Sequence, residues 1–110
     1  MKVETLTALK GSIAKWKAIA AGTGVDRGVK NCPLCMLFYS DDQTYIENCK
    51  GCPVKSKVRE TLCSKTPYIA WHDSHPYMRF PLEAKTEKHK KLARAELKFL
   101  RSLLPKKKVA

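Results

Sequence analysis

The sequence predicts a small α-rich domain in which an N-terminal and a C-terminal amphipathic helix pack around a loop-rich, zinc-stapled middle. Three observations predict it. Apolar residues recur at helical spacing near both ends, four cysteines stand between them as two C-x2-C pairs, and turn-forming residues crowd the same middle stretch.

The first helix is expected over residues 5–21. Leu6, Leu9, Ile13, Trp16 and Ala20 follow one another at spacings of three, four, three and four, which lines them along one helix face. Lys15 points away from that stripe and Lys10 and Lys17 flank it, so the opposite face is expected to be basic and solvated. Gly11 weakens the helix by roughly 1 kcal/mol relative to Ala, and Gly22 and Gly24 end it.

Beyond it the composition changes. Gly24, Gly28, Asn31, Pro33, Asp41, Asp42, Asn48, Gly51 and Pro53 are interleaved with short apolar runs such as Met36-Leu37-Phe38-Tyr39. That texture predicts loops with at most a short hairpin or single-turn helices, and a short helix over residues 54–62. Such a stretch cannot close a core unaided, which argues for a metal within the segment 29–72.

A second long helix is expected over residues 83–104, ended by Pro105. Leu92, Ala93, Leu97, Phe99, Leu100, Leu103 and Leu104 share one side of it, and Lys91, Arg94, Lys98 and Arg101 share the other. Its opening residues, 84–91, are too polar to be buried. Residues 1–104 make one domain, and 105–110, with Lys106, Lys107 and Lys108, make a flexible basic tail.

Charge narrows the partners. The 22 Lys and Arg against 10 Asp and Glu leave a formal +12 across 110 residues, and an apolar fraction of 44% excludes a wholly disordered chain. A surplus of this sign suits a phosphate backbone, and also an acidic protein surface or an anionic membrane surface. The chain offers no apolar export segment and no span of ~20 apolar residues, so a cytoplasmic protein without a membrane partner is expected.

The cysteines carry the strongest motif. Cys32-Pro-Leu-Cys35 and Cys49-Lys-Gly-Cys52 have the two-residue spacing that lets both sulfurs of a turn reach one ion, and two such turns complete a tetrahedral site. Zn2+ is the expected ion, because four thiolates close its coordination sphere. A fifth cysteine, Cys63, and the Cys52-Pro53 pair keep a [4Fe-4S] cluster as the alternative. Cys63 or His72 replacing one of the four on zinc is a third arrangement.

Weaker motifs surround this one. His72-Asp73-Ser74-His75 has the composition of a hydrolytic metal site but reads more simply as a polar turn before Pro76. Tyr68, Trp71, Tyr77 and Phe80 lie among cations and suit either base stacking or a core, with the core preferred. No complete catalytic constellation is present, so an enzyme is the minority expectation. Nucleic-acid contact is expected instead from Lys91, Arg94, Lys98 and Arg101 with the lysine tail.

One further likeness is carried by particular residues. Cys32-Pro-Leu-Cys35, Cys49-Lys-Gly-Cys52-Pro53-Val54, Cys63, Thr66-Pro67-Tyr68 and Trp71, with the helix around Trp16 and the Gly22-Thr23-Gly24 turn, resemble small cysteine-rich proteins of bacteriophages and prophages, a family of unassigned function. The resemblance covers residues 5–72. It implies a phage setting and a cysteine site that includes Cys63, and it transfers no activity. The resulting expectation is a non-catalytic zinc protein that binds nucleic acid or regulates its processing, the alternatives being a host-takeover inhibitor gripping an acidic host protein, a nuclease, or an iron-sulfur protein.

Overall fold

A computed structural model of the protein describes residues 1–40, 42–43, 48–58, 66–75 and 79–105. Among them the secondary structure is helical: α1 (Val3–Ala20), a 3-10 turn (Gly28–Lys30), α2 (Pro33–Phe38), α3 (Pro53–Val58), α4 (Pro67–Asp73) and α5 (Glu87–Ser102). The α-rich expectation holds. The middle is more helical than its turn residues suggest, because Pro33, Pro53 and Pro67 each start a short helix at a position whose N–H needs no partner. The helix expected over 54–62 appears as α3, and its continuation past residue 58 lies outside the described residues.

Local chemistry sets the helix ends. After α1, Gly22 takes φ +85° while its N–H donates to Ile19 O at 2.9 Å and the Thr23 N–H to Ala18 O at 3.0 Å, which closes the last turn. Thr86 caps α5, its hydroxyl accepting the His89 N–H at 3.1 Å. The second helix therefore begins at Glu87 and not at residue 83. Leu82, five residues earlier, is engaged elsewhere, in an antiparallel bridge with Asp26 whose two N–H to O distances are 2.8 and 2.7 Å.

α1 packs most extensively on α5, with α4 also against α5 and α2 against α1. Leu9, Trp16 and Ile19 of α1 meet Ala93, Leu97 and Leu100 of α5, and Leu34, Val54, Trp71 and Leu82 close the core. The molecule is a slab of 41 × 39 × 20 Å. Its thin dimension is about two helix diameters.

Two expectations for α1 are corrected. Its buried residues are Thr5, Leu9, Ser12, Trp16 and Ile19, so the inward face is rotated toward Thr5 and Ser12, while Leu6, Ile13 and Ala20 are half-buried. Lys15 does not face solvent. Its side chain is 9% exposed, with Nζ 2.8 Å from Oδ1 of the fully buried Asp26. Lys10 and Lys17 do lie exposed, as expected.

Candidate functional site

Each C-x2-C pair runs into a short helix. Cys32 is the N-cap of α2, its sulfur accepting the Cys35 N–H at 3.4 Å, and the thiol of Cys35 lies against it as well. Cys52 precedes α3, and the N–H groups of Val54 and Lys55 donate to its sulfur. Between them the chain doubles back. The Cys49 N–H donates to Phe38 O at 2.9 Å, and the Cys52 N–H to Cys49 O at 2.9 Å. This turn needs left-handed backbone at Cys49 (φ +64°) and Gly51 (φ +89°), and a Cβ at Gly51 would press on the Phe38 ring at 3.2 Å. Asn48 holds the approach: its side-chain oxygen accepts the Ser40 N–H at 3.0 Å, and its carbonyl accepts Lys55 Nζ at 2.8 Å.

None of these four cysteines is in a disulfide, and all four line one cavity of about 350 Å³ whose wall also carries the exposed side chains of Val29, Ile69 and Phe80. The structure thus brings Cys32, Cys35, Cys49 and Cys52 to one place, with His72 also on the wall. Among the described residues no group of three or more His, Cys, Asp or Glu side chains is placed to hold a single metal ion. Cys63 lies outside the described residues.

The cavity wall is electrically uneven. The Cys32 thiol is held down to about 6 by the hydrogen bond from Cys35, against the effect of burial and with help from the Cys35 N–H, Lys15 and Ser12. Burial raises the Cys52 thiol, and the N–H groups of Val54 and Lys55 offset only part of that. One thiolate therefore stands ready at neutral pH beside a reluctant thiol.

Glu96 shares this wall and is 2% exposed. Burial, and then the charge of Cys32, push its carboxyl up to about 7, while Lys15 pulls the other way. Its Oε2 has no hydrogen-bond partner. Behind it Asp26 is fully engaged, accepting from Lys15, from the Gly28 N–H at 2.9 Å and from Trp71 Nε1 at 3.0 Å. That net welds α1, α4 and the Asp26 bridge into one wall.

Sequence reasoning missed Ser12, Asp26 and Glu96. For Glu96 a signal existed: it lies three residues after Ala93, one before Leu97 and four before Leu100, on the apolar side of the helix. Ser12 was legible in the same way, lying between Leu9 and Trp16 at spacings of three and four. Asp26 gave no local signal, since its partners are 11 and 45 residues away.

The histidine motif does not converge on a site. His75 holds both ring nitrogens 2.9 Å from carbonyl oxygens, those of Trp71 and Glu83, and stacks on His89 with ring centroids 4.3 Å apart. His72 instead faces Tyr68 and Phe80 and lies 3.5 Å from Asp73. Trp71 is wholly buried against Trp16, as a core residue should be, and Phe80 is exposed. Tyr77 lies outside the described residues.

On α5 the four cations Lys91, Arg94, Lys98 and Arg101 are all exposed. Only Arg94 has a carboxylate neighbour among the described residues, Glu87 at 3.5 Å, and both are well solvated. Such a pair contributes little. The lysines 106–108 lie outside the described residues, and no described helix is long and apolar enough to cross a membrane. No family model matches this chain, and neither a curated protein nor a solved structure does.

Proposed function

We propose that this is a non-catalytic, metal-binding protein of the phage type that docks on nucleic acid through the outer face of α5, with Cys32, Cys35, Cys49 and Cys52 binding the metal. The observation that carries the nucleic-acid reading is the arrangement of α5: four cations exposed at spacings of three, four and three, while the one acid within their span, Glu96, is turned into the protein. A face of one sign along a helix follows a phosphate backbone and neutralises it by releasing counterions. Such contacts position a protein without reading bases. The metal reading is supported by the four thiols that share one cavity.

Fluorescence anisotropy with DNA and RNA oligonucleotides across a salt series tests the docking. Affinity should fall with a log-log slope of about −0.9 per phosphate contacted on duplex DNA and about −0.7 on single strands. K98E/R101E should weaken binding to every sequence alike and make the slope shallower by about one per lost contact. Binding that is absent, or indifferent to salt, would refute the reading.

A second reading is favoured by α2, where Met36 and Leu37 are 67% and 47% exposed side by side. An exposed apolar pair on a chain of formal charge +12 suits an acidic host protein held by a takeover inhibitor. Pull-down from nuclease-treated host lysate separates the two, because an association bridged by nucleic acid disappears there, while M36D would abolish only a protein contact.

A further inference from the structure

We infer that the cavity takes a polynuclear iron-sulfur centre of the [4Fe-4S] class, held by Cys32, Cys35, Cys49 and Cys52 with Glu96 against it, in place of a lone zinc ion. The inference rests on the reading that these thiols bind metal, and it names the class of centre.

Space is the first argument. A zinc ion on four thiolates draws the sulfurs to ~2.3 Å from one point and leaves no void between them. Here the four cysteines border about 350 Å³, roughly a dozen water volumes. Water is a poor occupant, because Trp16, Leu34, Val54, Tyr68 and Leu100 line the same space and offer few hydrogen bonds. A body of several irons and sulfides fills such a gap and reaches all four cysteines at once.

The second argument is independent of the cysteines. Glu96 Oε2 is buried on this cavity without a partner, and a buried polar atom left unpaired is costly enough that native structures rarely keep one without an ion or water to meet it. A single ion drawn onto the thiolates would leave this oxygen where it is. A larger centre fills the cavity and meets it. The sulfur-directed N–H groups of Cys35, Val54 and Lys55 are of the kind that steady a thiolate bound to iron.

The test is anaerobic reconstitution of the full-length, metal-free protein with ferric iron, sulfide and excess dithiothreitol, beside a parallel sample given Zn2+ alone. The dithiol supplies the two electrons that bring four ferric ions to two ferric and two ferrous, and each ligand cysteine releases its thiol proton as its iron-sulfur bond forms. After desalting, about four iron and four sulfide per chain with broad visible charge-transfer absorption are expected. C35S/C49S should lose most of the iron while keeping its helical circular dichroism. E96A should surrender iron to a chelator about tenfold faster than wild type, with E96Q between them.

Iron and sulfide that wash out overturn the inference. If the zinc sample then holds one ion per chain, the metal reading stands and only the cluster fails; if neither metal is held, both fail. An E96A variant that releases iron at the wild-type rate removes Glu96 from the site.

Discussion

At the scale of single residues, three ionisable groups on the cavity have been displaced, Cys32 downward and Cys52 and Glu96 upward, and the displacements are measurable in metal-free protein. Cys32, held down to about 6, should alkylate with iodoacetamide along a titration midpoint near that pH, whereas Cys52, raised by burial, should stay unreactive at neutral pH. Mass spectrometry of the modified peptides checks the order; equal reactivity of the two would contradict it. Glu96 acts on stability. Its carboxyl titrates near 4.5 when unfolded and near 7 when folded, so between those values the folded state holds a proton that the unfolded chain has lost. Stability should therefore fall as pH rises through that window, by up to about 3 kcal/mol from this group. E96Q does not titrate, so urea unfolding at pH 5 and pH 8 should show its advantage over wild type growing with pH; parallel profiles would rule the displacement out.

At the scale of elements, periodicity made the two long helices legible, and tertiary context decided which face turned inward. The run from Leu6 to Ala20 located α1, but Leu6, Ile13 and Ala20 lie only half-buried, because α2 docks where Ser12 points: the Leu34 N–H donates to Ser12 Oγ at 3.4 Å. A polar residue at helical spacing among apolar ones is as much a core position as its neighbours when a backbone donor waits across the interface. α3 was foreseen, but α2 and α4 were hidden by their own initiators, since proline reads as a breaker until the residue before it is recognised as a cap. Thr66 is such a cap, before Pro67, and Thr86 caps the long helix α5 in the same manner without a proline, the two accepting N–H groups at 3.2 and 3.1 Å. T86A should cost about 1 kcal/mol in thermal or urea unfolding, and T86S should restore most of it; an unchanged midpoint in T86A would show that the cap is idle.

At the scale of the whole molecule, the wall around Asp26 joins parts of the chain that no sequence pattern connects. The carboxylate is fully buried and binds Lys15, the Gly28 N–H and the Trp71 indole, while its backbone pairs with Leu82. That Cys32, Cys35, Cys49 and Cys52 come together was legible because C-x2-C spacing is local. The charged wall behind them was not, because burial of Lys15 depends on a partner brought in by folding. D26N should leave that lysine buried without its counterion and cost about 3–5 kcal/mol, a large part of a domain's stability, while K15M/D26N should recover much of the loss. Failure of the double variant to recover would mean that the hydrogen bonds, and not the charge pair, set the cost.

The slab shape bears on traffic. The fold spans only 20 Å along its thinnest axis, and three of the side chains that line the cavity, Val29, Ile69 and Phe80, are themselves exposed. Small ions, chelators and dioxygen can then exchange with the interior by side-chain movement alone, without the helices parting. Metal should leave to a chelator at a rate that barely responds to sub-denaturing urea, and bulk added at the rim, as in V29W, should slow it. The same thinness would make the proposed centre quick to load and equally open to oxidation.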